Sequence, residues 1–332
     1  MSGGGLSSSA ARTVVTLRVL SHCLVIVALV ALAPCAAFAQ NLDRSTREAW
    51  PVTRSWDADA EAEYGVFVHA IGQAIARGRC HTLRTCLNVP GIDPLAEPVR
   101  SAPLLFRADC ADVPYLLRAW FAYRRGLPFA HAARMLGAGA DERYLTSAYP
   151  EGRIAWTDYP TPRVLFESMG HIVHSGFFRT SPKLETGDFY HAAIAPGSIR
   201  PGTIFYNPNG HVLVVYEVRG DGTMLVFDGH VGGHLTHGPL DANVSTGPAA
   251  NGGGFKNFRP IVMRGGTLAS LPDAALTDFG AAAQYTETGG ARPDFVRWAR
   301  AQLCRAVRRA GRTPRRPLRA DGAGTRTGRT NS

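Results

Sequence analysis

The chain has 332 residues, 45% hydrophobic and 19% charged, enough for one large domain or two small ones with a substantial buried core. Its net charge of +10 suggests a nucleic-acid binder only until it is located. Residues 305–332 carry nine Arg against one Asp, residues 1–39 carry Arg12 and Arg18 with no acid, and residues 40–304 are close to neutral. The folded body is not basic, which argues against nucleic acid as a partner, and no phosphate-loop or dinucleotide fingerprint argues for a nucleotide.

The N-terminus reads as an export signal. Arg12 and Arg18 precede the apolar run "LVIVALVALA", and "AAFAQ" then sets Ala37 and Ala39 around Phe38 in the small-x-small pattern of a cleavage site after Ala39. The competing expectation is an uncleaved membrane anchor, because residues 19–39 hold no Asp, Glu, Lys or Arg. Export is expected to place the body in the periplasm or outside the cell, where thiols oxidise. Cys23 and Cys35 leave with a cleaved signal, and the spacing in "CHTLRTC" predicts a local disulfide between Cys80 and Cys86.

Residues 40–105 form a lead-in. Asp57 and Asp59 introduce "AEYGVFVHAIGQAIARG", whose Phe67, Ile71, Ala74 and Ile75 predict an amphipathic helix stopped at Gly78; the proline-rich residues 87–105 read as a loop. In "FRADCADVPYLLRAWFAYRRGLPF", Leu116, Leu117, Trp120 and Phe121 mark a second helix, ended by Gly126 and Pro128. Pro114 disfavours helical geometry at Val113, so regular helix is expected from Pro114, with Cys110 in a preceding tight turn. "HAARMLGAG" is expected as a short helix and "PRVLFESMGHIVHSGFF" as a longer one. From Arg200 the pattern becomes β: "GTIFYNP", then "HVLVVYEV" and "TMLVFDGHV" as an antiparallel hairpin about "RGDG". "GPAANGGGFKNFRP" reads as a glycine-rich loop before a last strand, "RPIVM", and its "NGGGFKNF" portion is expected to flank any groove. Pro293 opens a helix with Phe295, Trp298, Ala299 and Leu303 on one side, within a C-terminal helical segment of residues 266–304. The Arg-rich tail, residues 305–332, has too little apolar content for a core; it is expected to be disordered, with at most weak contact to anionic polymers or a membrane surface.

Cys110 stands out because it lies in the polar lead-in to a helix rather than in its apolar stripe. A helix start offers unpaired N–H groups and a partial positive charge, which favour a thiolate and can hold the oxyanion of an acyl-transfer intermediate. Such a nucleophile needs an imidazole and a third group to orient it. His211 begins the strand "HVLVVYEV", and its partner strand carries Asp228 and His230. If the hairpin is centred between Gly220 and Asp221, His211 faces His230 with Asp228 on the diagonal, all three on one face. Asp228 is the better orienter, since a carboxylate stabilises imidazolium. Asp109 and Asp112 read as turn and helix-start residues.

"DCADVPYLLRAWFAYRRGLPF" resembles the nucleophile helix of transglutaminase-like proteins, and "GHVLVVYEVRGDGTMLVFDGH" is similar to their His strand, hairpin and Asp strand. "RPGTIFYNPNGHVLVVY" also resembles NlpC-type cell-wall peptidases; both groups belong to the papain-like superfamily. The resemblance implies an α+β fold, a nucleophile helix packed on a small antiparallel sheet over residues 106–265, with an insertion near 130–198 and extra helices at both ends. It implies Cys110 as nucleophile, His211 as base, and Asp228 (transglutaminase-like) or His230 (NlpC-like) as third residue, without a cofactor. The substrate implied is a peptide or peptidoglycan-like amide, cleaved or transferred. Two other classes compete: a zinc hydrolase using Asp228, His230, His234 and His237, and a non-enzymatic envelope-binding module.

Overall fold

The computed structural model describes residues 49–92 and 107–310, with side chains to residue 304. The expected export signal, most of the expected loop at residues 87–105, and the tail beyond Ala310 lie outside the described residues. The described chain is mixed α+β with antiparallel sheets. None of its helices is long and apolar enough to cross a membrane.

Helix α1 (Ala58–Ala76) starts where the Asp57 carboxylate caps the Ala60 N–H at 2.8 Å. It is followed by Gly78 at φ +65°, a left-handed position that a side chain would strain. Its buried face, from Tyr64 through Phe67, Val68, Ile71, Ala74 and Ile75, is the predicted one. The short helix α2 (Leu83–Leu87) sits inside the Cys80–Cys86 link, whose sulfurs lie 2.11 Å apart. Helix α3 (Asp112–Arg125) ends at Gly126 in the left-handed region, as expected, but starts two residues before Pro114. Pro114 is its third residue, within the first turn, where a proline is tolerated. Arg118 ties α3 to α1: its guanidinium donates to Glu61 at 3.0 Å and lies 3.2 Å over the Trp56 ring.

The segment "HAARMLGAG" is a strand, β1 (Ala130–Ala138), not the expected helix. It pairs with β2 (Thr146–Ala155), and Gly137 lets the strands close, since a Cβ there would lie 3.0 Å from the Thr146 carbonyl. Cross-strand pairing overrides the helical propensity of Ala, Arg, Met and Leu. Helix α4 (Pro162–Ile172) follows, capped by Thr161, with a 3-10 turn over Ser175–Phe178.

The main sheet has six strands, β3 (Phe189–His191), β4 (Ile204–Asn207), β5 (His211–Val218), β6 (Met224–Gly229), β7 (Leu235–Pro239) and β8 (Gly254–Phe258), in the order β3-β8-β4-β5-β6-β7. The glycine-rich stretch is therefore corrected in part: Gly254–Phe258 is a buried interior strand rather than a loop along a groove. Residues 261–270 form a separate hairpin, β9 (Ile261–Arg264) and β10 (Thr267–Ser270). Helix α5 (Phe295–Ala310) closes the described chain and continues through residues 305–310.

Apolar residues cover the main sheet on both faces. One cluster joins α1, α3, α4 and the β1–β2 hairpin to Tyr206, Val212, Val214 and Phe227; the other sets Phe295, Val296, Ala299 and Leu303 of α5 on Phe205, Val215, Met224, Val226 and Phe255. Each such large side chain, fully buried, contributes about 1.5–3 kcal/mol. The first cluster matters most for the site, because it holds the start of α3 against the ends of β5 and β6.

Candidate active site

The turn before α3 is locked by its own carboxylates. Asp109 Oδ1 accepts from the N–H groups of Ala111 (2.8 Å) and Asp112 (3.2 Å), while Asp112 Oδ2 accepts from the Asp109 N–H at 3.1 Å. The Val113 N–H donates to the Asp109 carbonyl at 3.2 Å. Every N–H from residue 109 to 113 is thereby used except that of Cys110, which has no hydrogen-bond partner among the described residues. Burial, and then the charge of Asp109, push the Asp112 carboxyl up to about 7.

The half-buried Cys110 thiol faces the Gly210 carbonyl, Sγ to O 3.9 Å. Gly229 brings β6 against the same turn. A Cβ on Gly229 would meet the Ala108 and Asp109 carbonyl oxygens at 2.7 and 2.8 Å, so only glycine permits that approach.

His211 opens β5, paired with Asn207 across the β4–β5 turn. Its Nε2 lies 2.8 Å from Asp228 Oδ2. The hydrogen bond to Asp228, followed by one to Cys110, raises the imidazole pKa to about 10 against the opposing effect of burial. Asp228 takes Nε2, and the residue before His211, Gly210, is the one whose carbonyl faces the Cys110 sulfur. Its side chain is 40% exposed and that of Asp228 9%, so the imidazole is open to solvent while its carboxylate is screened.

Burial pushes the Asp228 carboxyl up, but the hydrogen bonds from His211 and Thr236 outweigh it and hold the group below its ordinary value. Thr236 Oγ1 donates to Asp228 Oδ1 at 2.6 Å, so its oxygen is left to accept from His230 Nε2 at 3.0 Å. His230 Nε2 also lies 3.5 Å from Asp228 Oδ2, so it sits beside the carboxylate. Its ring is 6.3 Å from that of His211 between centroids, and it stacks instead on His234 at 4.8 Å. His237 neighbours Thr236 on β7 and so projects from the opposite face of the sheet to Asp228. The four residues Asp228, His230, His234 and His237 do not converge, and no group of three or more His, Cys, Asp or Glu suited to a metal ion occurs among the described residues.

The hairpin register explains why Asp228 reaches His211. At the site end, Val214 pairs with Phe227 and Val215 with Val226, as a hairpin centred between Gly220 and Asp221 requires. The turn, however, holds three residues, Gly220 to Gly222, between Arg219 and Thr223. A bulge at Tyr216 absorbs the extra residue and restores the register. Gly72 of α1 makes room for the bulged ring, since a Cβ there would lie 2.1 Å from Tyr216 Cγ.

Sequence reasoning missed Thr236, whose strand β7 carries a weak apolar signal in "LTHGP", and the buried Arg179. Arg179 donates from Nε to the Leu145 carbonyl (2.6 Å) and from Nη1 to Tyr206 Oη (3.1 Å) and the Pro208 carbonyl (2.8 Å). No protein-family model, curated protein or solved structure matches the chain.

Proposed function

We propose that the chain is an exported cysteine hydrolase or acyl transferase acting on amide bonds, built on a papain-like core of the transglutaminase-like kind. The observation that carries this reading is the position of His211, hydrogen bonded to Asp228 and directly following Gly210, whose carbonyl faces the Cys110 sulfur at 3.9 Å. Cys110 Sγ attacks the substrate carbonyl carbon, and the oxyanion is held in part by the free Cys110 N–H. His211, having taken the thiol proton, delivers it to the leaving amine as the C–N bond breaks. Water or an acceptor amine then resolves the thioester with His211 as base. Asp228 orients and stabilises the imidazolium. The absence of direct His211–His230 contact favours the transglutaminase-like third residue over the NlpC-like one. The Cys80–Cys86 pair supports an oxidising compartment, and the substrate class is a peptide or peptidoglycan-like amide.

The test is the rate of Cys110 alkylation by iodoacetamide near neutral pH. Rapid labelling that a His211→Ala variant loses supports the paired thiol. Labelling only after unfolding makes the thiol structural and the protein a scaffold, and activity abolished by a chelator and restored by zinc makes it a metallohydrolase.

A further inference from the structure

The segment inserted between the two halves of the site reaches back to it through one buried cation. Arg179 lies at the end of the 3-10 turn Ser175–Phe178 and is only 3% exposed. Its three hydrogen bonds join two stretches of chain. One ends at the Leu145 carbonyl, next to Tyr144; the others end at Tyr206 and at Pro208, in the turn that carries Gly210 and His211. Charge-assisted bonds of this kind hold geometry well, and a buried guanidinium without them would be costly. The short 3-10 helix Glu142–Tyr144 is itself fixed by Asp141, which accepts from the Arg143 N–H at 2.9 Å.

This arrangement sets Tyr144 beside Gly210. A Cβ on Gly210 would lie 3.2 Å from the Tyr144 hydroxyl and 3.6 Å from Ser175 Oγ. The Gly210 carbonyl is also the group that faces Cys110 Sγ. Tyr206 lies close to the same groups: burial raises its hydroxyl pKa, the Arg179 hydrogen bond and charge oppose that, and negative charge on Tyr144 or Cys110 adds a smaller rise. Yet Tyr144 is 49% exposed, and its hydroxyl has no hydrogen-bond partner among the described residues. A half-exposed aromatic ring with a free hydroxyl, held in place beside a nucleophile, is built to meet something. Its exposed surface suits a flat apolar group, by stacking or edge contact.

We infer that Tyr144 is a specificity-determining wall of the Cys110 site, selecting acyl groups that carry an aromatic or flat apolar side chain, and that Arg179 is the positioning residue that holds it. The inference rests on the proposed thiol chemistry, and its test separates the two.

The probes are p-nitrophenyl acetate and p-nitrophenyl phenylacetate. In each, Cys110 Sγ forms a bond to the carbonyl carbon and p-nitrophenolate leaves with the electron pair. Rates are corrected for a Cys110→Ser variant and normalised to those of N-acetylcysteine. The wild type should prefer phenylacetate by about ten-fold, of the order that apolar and aromatic contacts supply. Tyr144→Ala should bring the ratio close to one without changing iodoacetamide alkylation, and Tyr144→Phe should keep most of it. Tyr149→Ala, which removes the other half-exposed tyrosine of this hairpin, should leave it intact. Arg179→Lys should lower the ratio, and a wild-type ratio in that variant removes Arg179 from the account. A Tyr144→Ala protein with the wild-type preference, or a wild type with none, overturns the role of Tyr144. A wild type in which Cys110 reacts with neither ester nor iodoacetamide instead overturns the thiol chemistry itself.

Discussion

Nε2 of His211 lies 2.8 Å from Oδ2 of Asp228, across two neighbouring strands whose pairing stops three residues short of His211. The hydrogen bond to this carboxylate is the largest of the influences that push the His211 pKa up to about 10. Asp228→Asn should lower the His211 pKa toward its ordinary 6.5, as read by imidazole NMR over a pH series. The linkage has a definite sign: a histidine with a raised folded-state pKa adds stability that is fully present below about 6.5 and lost as pH rises through about 10. The wild-type thermal midpoint should therefore fall over that range more than that of Asp228→Asn. A wild-type His211 titrating near 6.5 would contradict the pairing.

The two candidates for third residue make different demands. His230→Ala removes a group that meets Asp228 both through Thr236 and directly, Nε2 to Oδ2 at 3.5 Å, but leaves the shorter His211–Asp228 bond in place, so Cys110 alkylation should stay within about three-fold of wild type. Thr236→Val leaves Asp228 Oδ1 without its donor and should cost about 1 kcal/mol of stability, with a higher Asp228 pKa. Equal losses of thiol reactivity in His230→Ala and Asp228→Ala would return His230 to the centre of the site.

Gly229 is needed for space rather than for backbone freedom. A methyl group there would press on the Ala108 and Asp109 carbonyls, which are backbone and cannot swing aside. Gly229→Ala should cost about 1–3 kcal/mol in urea unfolding and should slow Cys110 alkylation by separating the α3 turn from β6. Unchanged alkylation in a destabilised variant would mean that the turn holds its place without β6.

Asp112 stores a pH-dependent cost. Its folded-state pKa of about 7, against an ordinary 3.8, makes its stabilising contribution fall as pH rises through about 4 to 7. Asp112→Asn keeps an oxygen for the Asp109 N–H but carries no charge. Above pH 7 it should be at least as stable as wild type, while at pH 4 the two should match closely. Urea midpoints at pH 4 and 8 check this, and a variant destabilised equally at both would show that the carboxylate's charge is not the cost.

Much of the site could be read in the sequence because its signals are local. Cys110 stands out against a polar lead-in, and His211 and Asp228 lie on apolar β-branched strands with a glycine turn between them. The helices α1 and α3 follow from apolar spacing and glycine stops, and α5 from apolar spacing after Pro293. The β1 strand was not legible, because Ala, Arg, Met and Leu there take their conformation from pairing with β2. The interior strand Gly254–Phe258 was hidden by its glycines. Gly254 takes φ +108°, and a Cβ there would lie 2.4 Å from Gln284 Oε1, so the residue that looks like a loop signal is what lets the strand pass. The Arg179 clamp joins residues 29 and 34 positions away in sequence, a separation that no periodicity reveals.

The Tyr216 bulge and the three-residue turn have a joint consequence for variation in this hairpin. Each displaces the strand by one step, and the displacements cancel only because both are present. Shortening the turn by a single residue, on the side of the molecule remote from the thiol, would leave the bulge uncompensated. The slip would then carry along β6 by about 3.4 Å and turn the Asp228 carboxylate to the other side of the sheet. The spacing of a distal loop in this sense helps set the His211–Asp228 pair, and length changes there should be tolerated only in matched pairs.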